Sequence, residues 1–243
     1  MEPREYKNIY QNEETHFYYR TVHDLVENAM IRHSPVTQPS VLDAGCGTGG
    51  LAKRLLKHAT VKGVDWSPEA CRLAGQRGVE VQQGDLNSLP FTNGQFDCIA
   101  SVDVLCQKQV DDNKAMGELF RVLKPGGILL LRVPALPWLT SPHDRFVHTR
   151  ERYDKAKLKR KIQDAGFQVR RISYTGLLLL PFAIATHCLD KLGAGTTSHS
   201  RIRRLPKMVN QIFYSLLRWE QILFSRLDLP CGLGLFVIAE KRP

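Results

Sequence analysis

The sequence predicts a doubly wound α/β sheet, and three observations carry that prediction. Short apolar runs of strand length alternate with stretches of helical spacing from residue 40 to residue 174. A glycine cluster follows the first of these runs directly, where strand-to-helix turns bind ligands. The run Ile128–Val133 is apolar almost throughout, as a strand buried on both faces of a parallel sheet must be.

The elements follow in order. Residues 15–33 read as a helix with aromatics at its start, broken by Ser34-Pro35. Ser40–Asp43 is the first strand. Thr48–His58 is a helix with Leu51, Leu55 and Leu56 at helical spacing. Val61–Asp65 is the second strand. Ser67 is an N-cap for the next helix, with Pro68 at its first position and Glu69 at its positive end. Val79–Gln82 and Phe96–Ser101 are the third and fourth strands. Lys114–Leu123 is a helix stopped by Pro125-Gly126-Gly127 before the fifth strand. Asp154–Ala165 is a helix ended by Gly166, Phe167–Tyr174 the sixth strand and Leu233–Ala239 the last. Between the last two strands lie the apolar run Leu177–Ile184, a Gly/Thr/Ser stretch at 193–200, a basic cluster (Arg201, Arg203, Arg204, Lys207) and a helix over Met208–Leu227. This gives four expected parts: an N-terminal helical lid (1–35), a ligand-binding core (36–174), an inserted cap (175–232) and a final core strand (233–243).

The chain has 243 residues, 43% hydrophobic and 24% charged, which is globular composition with enough length for a sizeable core. No apolar run approaches the roughly 18 residues of a membrane span, and the acidic start excludes a secretory signal. Six scattered cysteines with no C-x-x-C pair read as reduced thiols in a cytoplasmic protein. The net charge of +10 is uneven: −2 over residues 1–35, +1 over 36–134, +6 over 135–174 and +5 over 175–243. A basic C-terminal half implies an anionic substrate, a membrane surface, nucleic acid, or simply a solvated face.

The glycine cluster reads Asp43-Ala-Gly45-Cys-Gly47-Thr-Gly49-Gly50 and satisfies both a dinucleotide pattern and G-x-G-x-G. Charge decides between them. A dinucleotide would set its pyrophosphate against Asp43, and two like charges in a partly dry site repel. S-adenosylmethionine lacks a phosphate and carries an ammonium and a sulfonium, so Asp43 becomes an asset. Asp65, at the end of the second strand, is placed for ribose hydroxyls. Asp85 suits the adenine amino group, with Leu86 packing on the ring.

Taken together, VLDAGCGTG, GVDWSPEA, GDLNSLPF, QFDCIASVDVL and ELFRVLKPGGILLL resemble the class I S-adenosylmethionine-dependent methyltransferases. The likeness covers about residues 36–134 and is closest to the small-molecule type related to quinone-biosynthesis O-methyltransferases. It implies a Rossmann-like sheet of seven strands with the last antiparallel. It makes Gly45, Gly47 and Gly49 the methionine-side turn, Asp65 the ribose acid and Asp85 the adenine contact, with Trp66 and Ser101 as further cofactor neighbours; the product is S-adenosyl-L-homocysteine. The segments His16–Arg20 and His143–Tyr153 are similar to those of a bacterial subgroup with the patterns H-F-W-Y-R and H-D-x3-H-x-R-R-Y. Where many relatives carry Glu-His after the fourth strand, this chain has Cys106 and Gln107, so no metal is expected.

The segment after the fifth strand lies at the ligand end of the sheet. His143 or His148 is the expected general base, with Asp144 orienting it. Trp138, Arg150, Arg152, Tyr153, Tyr18 and Tyr19 are the expected substrate contacts. The reaction expected is in-line methyl transfer to an oxygen or nitrogen of a small lipophilic or anionic molecule, with nucleic acid disfavoured and peripheral membrane contact allowed by the cap. The alternatives are an RNA or protein methyltransferase, or a catalytically silent cofactor-binding relative.

Overall fold

Strand and helix alternate as the apolar pattern requires, and the computed structural model, which describes residues 3–141, 144, 147–191, 205–224 and 226–242, arranges them around one sheet. The strands are β1 (Ser40–Ala44), β2 (Thr60–Asp65), β3 (Glu80–Gln83), β4 (Phe96–Val102), β5 (Leu123–Pro134), β6 (Gln168–Thr175) and β7 (Gly234–Glu240). The helices are α1 (Pro3–Asn12), α2 (Phe17–His33), α3 (Gly50–Leu55), α4 (Pro68–Gln76), α5 (Asp112–Val122), α6 (Lys155–Asp164), α7 (Leu180–Lys191) and α8 (Lys207–Phe224). The sheet order is β3-β2-β1-β4-β5-β7-β6, parallel except for β7, which runs antiparallel between β5 and β6. The order therefore reverses between β1 and β4, and a crevice opens at their carboxyl ends.

Period-two alternation fills both faces. Leu42, Ile99, Leu129 and Leu131 point to one layer, closed by Met116 and Leu119 of α5 and Leu158 and Ile162 of α6. Val41, Cys98, Ala100 and Leu130 point to the other, closed by Val26 and Met30 of α2, Leu51 and Leu55 of α3 and Phe224 of α8.

Three features depart from the sequence reading. The N-terminal region holds two helices: α1 adds Tyr6, buried against Ala70 and Leu73 of α4. β5 starts at Leu123, because Leu123 pairs with Phe96 before the register shifts and Ile128 pairs with Cys98. The Lys124–Gly127 turn is thus an excursion within the strand, pinned by Gly126 N–H donating to the Lys241 carbonyl at 2.6 Å. Part of the apolar run Leu177–Ile184 is helical, as the start of α7, which has no fully buried residue. Two of its flanking amides, Gly176 N–H and Leu178 N–H, donate to the Glu220 carboxylate of α8 at 2.5 and 2.9 Å.

The second layer is locked by charge. Arg54 of α3 bridges Asp24 and Glu27 of α2, Glu27 also meets His58 at 3.1 Å, and the Tyr214 hydroxyl of α8 donates to Asp24 at 2.8 Å. Among the described residues, removing Arg54 leaves two largely buried carboxylates without their shared cation, Asp24 with only the Tyr214 hydroxyl and Glu27 with only His58. Arg54→Met is expected to lower stability in urea unfolding by about 3 kcal/mol, against about 1 kcal/mol for Tyr214→Phe.

Candidate active site

A cavity of about 490 Å³ occupies the crevice at the carboxyl ends of β1, β2, β4 and β5. It has two chemically distinct ends. Local structure builds the first from the β1–α3 turn. Gly45 and Cys46 N–H donate to the Val64 carbonyl at 2.8 and 3.0 Å, which ties the turn to β2. Gly45 has φ +82, and a Cβ there would collide with Val104, so the turn can approach the β4 loop only as glycine.

Three carboxylates converge on this end: Glu13, Asp43 and Asp65 all line the cavity. Burial pushes Asp43 up to about 7, and the nearby charges of Glu13 and Asp65 add to the effect. Its Oδ2 is buried with no hydrogen-bond partner. Burial also raises Asp65, although it accepts from Gly47 N–H at 2.9 Å and Ser67 N–H at 3.0 Å. Glu13 is raised by burial and opposed by Arg77, which meets it at 2.9 Å, while the Thr48 hydroxyl donates to the same oxygen. Three buried acids with a single guanidinium favour a cation and repel a pyrophosphate. The orphaned Asp43 oxygen and the bare glycine turn therefore fit the ammonium and sulfonium of S-adenosylmethionine. Tyr6 and Ile9 of α1 and the half-exposed Trp66 complete this end.

The second end is built around Asp103, just past β4. Asp103 has φ +56, in the left-handed region. Its backbone carbonyl accepts from the Cys106 thiol at 3.3 Å and Gln107 Nε2 at 3.2 Å. Its Oδ2 accepts from the Tyr18 hydroxyl at 2.9 Å and from Arg132, whose guanidinium also donates to the Tyr18 oxygen at 2.7 Å. Its Oδ1 is buried and has no hydrogen-bond partner. Burial raises the Tyr18 pKa and so keeps the phenol protonated; burial opposes the Arg132 charge, but Asp103 and Tyr18 outweigh it and hold the guanidinium protonated. Tyr19, Val22, Val104, Leu139, Ala183 and Leu233 give this end an apolar wall, beside the polar Gln107, Gln109, Ser141 and Thr149.

The residues singled out from sequence divide. Asp43, Gly45, Gly47, Asp65, Trp66, Tyr18, Tyr19, Asp144 and Arg152 line the cavity. Asp144 and Arg152 there form a two-pronged ion pair at 3.0 and 2.9 Å. Gly49 lies behind the wall as the left-handed N-cap of α3. The remaining expected residues stand elsewhere in this structure. Asp85 accepts from Asn87 within its own turn, Leu86 is buried in the core and the Ser101 hydroxyl donates to the Ala44 carbonyl; none lines the cavity. Arg150 and Tyr153 instead converge on buried Asp112, the Tyr153 hydroxyl at 2.9 Å. Trp138 is exposed beside His187. His148, held at φ +60, is not on the cavity wall. His143 lies outside the described residues.

Glu13, Asp103 and Arg132 were not singled out from sequence. Arg132 had a signal, a lone charge inside the apolar β5 run, and Asp103 sits where a strand-end acid is expected. Glu13 reaches the site only through the packing of α1. His16, His23 and His187 also line the cavity. Burial, aided by the charges of Arg54 and Arg77, pulls His23 down to about 3, leaving it a very weak base. Among the described residues no cluster of His, Cys, Asp and Glu is placed to hold a metal.

Residues 42–131 match a family model described as a methyltransferase domain. The chain is 45% identical over 95 residues to a malonyl-[acyl-carrier protein] O-methyltransferase of Herminiimonas arsenicoxydans, covering 37% of this chain and 35% of that one. It is 39% identical over 107 residues to a demethylmenaquinone methyltransferase of Thermus thermophilus, covering 40% and 48%. The matches thus span less than half the length of these curated relatives. Among solved structures, the fold resembles a putative methyltransferase of Haloferax volcanii in complex with the Trm112 activator, at 19% identity and a TM-score of 0.63 over 99% of this chain and 94% of that one. It also resembles a geranyl diphosphate C-methyltransferase of Streptomyces coelicolor, at 16% identity and a TM-score of 0.60 over 90% and 77%. Residues 42–131 are thus similar to a methyltransferase domain, and the strand order and fold resemble those of the solved methyltransferase structures.

Proposed function

We propose that the whole protein transfers a methyl group from S-adenosylmethionine to an oxygen or nitrogen of a small, lipophilic acceptor. The observation that carries this reading is a single cavity joining an acidic, cation-seeking end to an apolar end that holds one partly satisfied carboxylate. Asp43 would hold the cofactor's ammonium group, Asp65 its ribose hydroxyls, and the Gly45–Gly47 backbone would lie against its methionine side. When bound, the cofactor supplies an electrophilic methyl. The chain's task is then to position the nucleophile and exclude water. Glu13 and the aromatic residues of α1 and α2 act as the lid over this end.

Asp103 takes the acceptor-positioning role in this reading. Tyr18 and Arg132 occupy its Oδ2 and fix its plane, which leaves Oδ1 to accept a hydrogen bond from the acceptor's O–H or N–H. The next residue, Val104, lies against Gly45, so Asp103 follows the chain to the edge of the cofactor turn. The histidine-base proposal narrows to His143, because His148 is off the cavity wall. The narrower acceptor class rests on the apolar wall; the likeness to menaquinone and acyl-carrier-protein methyltransferases is consistent with it but names no substrate for this chain.

Two predictions follow from the charges. Asp43 holds its proton in the empty folded chain up to about pH 7 but loses it near pH 4 when unfolded. Its contribution to the free protein's stability is therefore present below pH 4 and is lost as pH rises through about 7. A bound cation reverses the preference. The melting shift given by S-adenosylhomocysteine should grow from pH 6 to pH 8, and Asp43→Asn should flatten that dependence while weakening affinity about tenfold or more. Asp103→Asn should lower kcat by roughly 10–100-fold through misplacement of the acceptor with S-adenosylhomocysteine affinity unchanged. Loss of affinity alone, with kcat retained, would remove Asp103 from the acceptor site. In the same assay, His143→Ala reads out the histidine base.

A further inference from the structure

Helix α8 is apolar on two faces, and the structure covers only one of them. Tyr214, Leu217 and Phe224 are buried, with Tyr214 bonded to α2. On the opposite side Met208, Ile212, Trp219 and Leu223, spaced i, i+4, i+11 and i+15, form a single exposed stripe. Met208, Ile212 and Trp219 are 80%, 63% and 71% accessible. A contiguous stripe of this kind on a surface marks a docking face rather than scattered surface hydrophobics. Helix α7 extends it: Phe182 and Leu189 are exposed, and the Phe182 ring meets Phe213 of α8 at 6.0 Å. On its other side, α7 presents Ala183 and His187 to the cavity, so the exposed apolar surface reaches the cavity rim.

Charge identifies what covers this face. Lys207, Arg218 and Arg226 are exposed on or next to α8 and form no ion pair among the described residues, and Lys191 ends α7 exposed. Arg201, Arg203 and Arg204, in the sequence between the two helices, lie outside the described residues. The nearby carboxylates are withdrawn: Glu220 is buried on backbone amides, Asp228 is paired with Arg171 at 2.7 Å and Asp190 is half-buried. An apolar stripe flanked by unpaired cations fits the boundary of an anionic bilayer, where the side chains enter the acyl region and the cations meet lipid phosphates and carboxylates. A second copy of the chain fits poorly, since a two-fold contact through α8 would bring the same cations together. No helix of the described residues is long and apolar enough to cross a membrane. We infer that the outer faces of α7 and α8 form a peripheral docking surface for anionic lipid membranes. The inference stands on this surface and does not depend on methyl transfer.

The test is sedimentation of the full chain with phosphatidylcholine vesicles, with and without phosphatidylserine, in low and high salt, alongside light scattering for oligomeric state. The expected result is a monomer that pellets with phosphatidylserine vesicles at low salt and is released by high salt. Ile212→Glu and Trp219→Glu should each weaken partitioning roughly tenfold while leaving the melting shift with S-adenosylhomocysteine intact. Arg218→Gln, which keeps the apolar stripe, should weaken it about fivefold. Wild-type protein that stays in the supernatant at low salt would overturn the inference. So would Glu variants that bind like wild type, or a dimer dissolved by Ile212→Glu.

Discussion

The site depends on a local excess of buried negative charge. Glu13, Asp43 and Asp65 meet where the sheet order reverses, and Arg77 offsets only the first of them. Strand geometry fixes two of the three, because Asp43 and Asp65 stand at or beside the carboxyl ends of adjacent parallel strands. The third arrives from α1, which is held by Tyr6 on α4 and by Arg77 bonded to the Tyr10 carbonyl at 2.7 Å. Such a grouping costs stability in the empty chain and is relieved by a bound cation. The same electrostatics separates a sulfonium-binding crevice from a pyrophosphate-binding one on a similar sheet.

The acceptor end shows how the N-terminal helices and the core become one functional unit. Tyr18 comes from α2, Arg132 from β5 and Asp103 from the loop after β4, and their hydrogen bonds join the three at one carboxylate. Asn210 of α8 reaches the same region from outside, accepting from Phe17 N–H at 2.8 Å and donating to the Thr15 carbonyl. The helices outside the sheet therefore position the start of α2 as well as cover the cavity. An inserted segment that both braces the site and faces outward with an apolar, cationic surface places cavity rim and bilayer side by side.

Much of this was legible in the sequence, for identifiable reasons. Strand positions followed from short apolar runs, and Ser67-Pro68-Glu69 marked the start of α4 within a residue, because caps and strand periodicity are local signals. Asp43 and Asp65 were legible because the glycine turn fixes where strand-end acids point. The surroundings of Asp85 and Ser101 were not legible, because position in a motif does not say whether a side chain turns to the crevice or bonds its own backbone. The partner of Arg150 and Tyr153 was not legible for a different reason: buried Asp112 meets both, and nothing near them in sequence announces it. Glu13 and the Asp103–Arg132–Tyr18 group needed contacts across 29 to 114 residues, from Arg132 to Asp103 and from Tyr18 to Arg132, and those form only in the folded chain.

The most direct test of the central claim is a proton count. Calorimetric titration with S-adenosylhomocysteine, in buffers of different ionisation enthalpy, measures the protons released on binding. If the buried acids form a cation site with Asp43 protonated in the empty chain, binding at pH 6 releases close to one proton and binding at pH 8.5 releases almost none. Tight binding at pH 6 with no proton released, or release unaltered in Asp43→Asn, would contradict it.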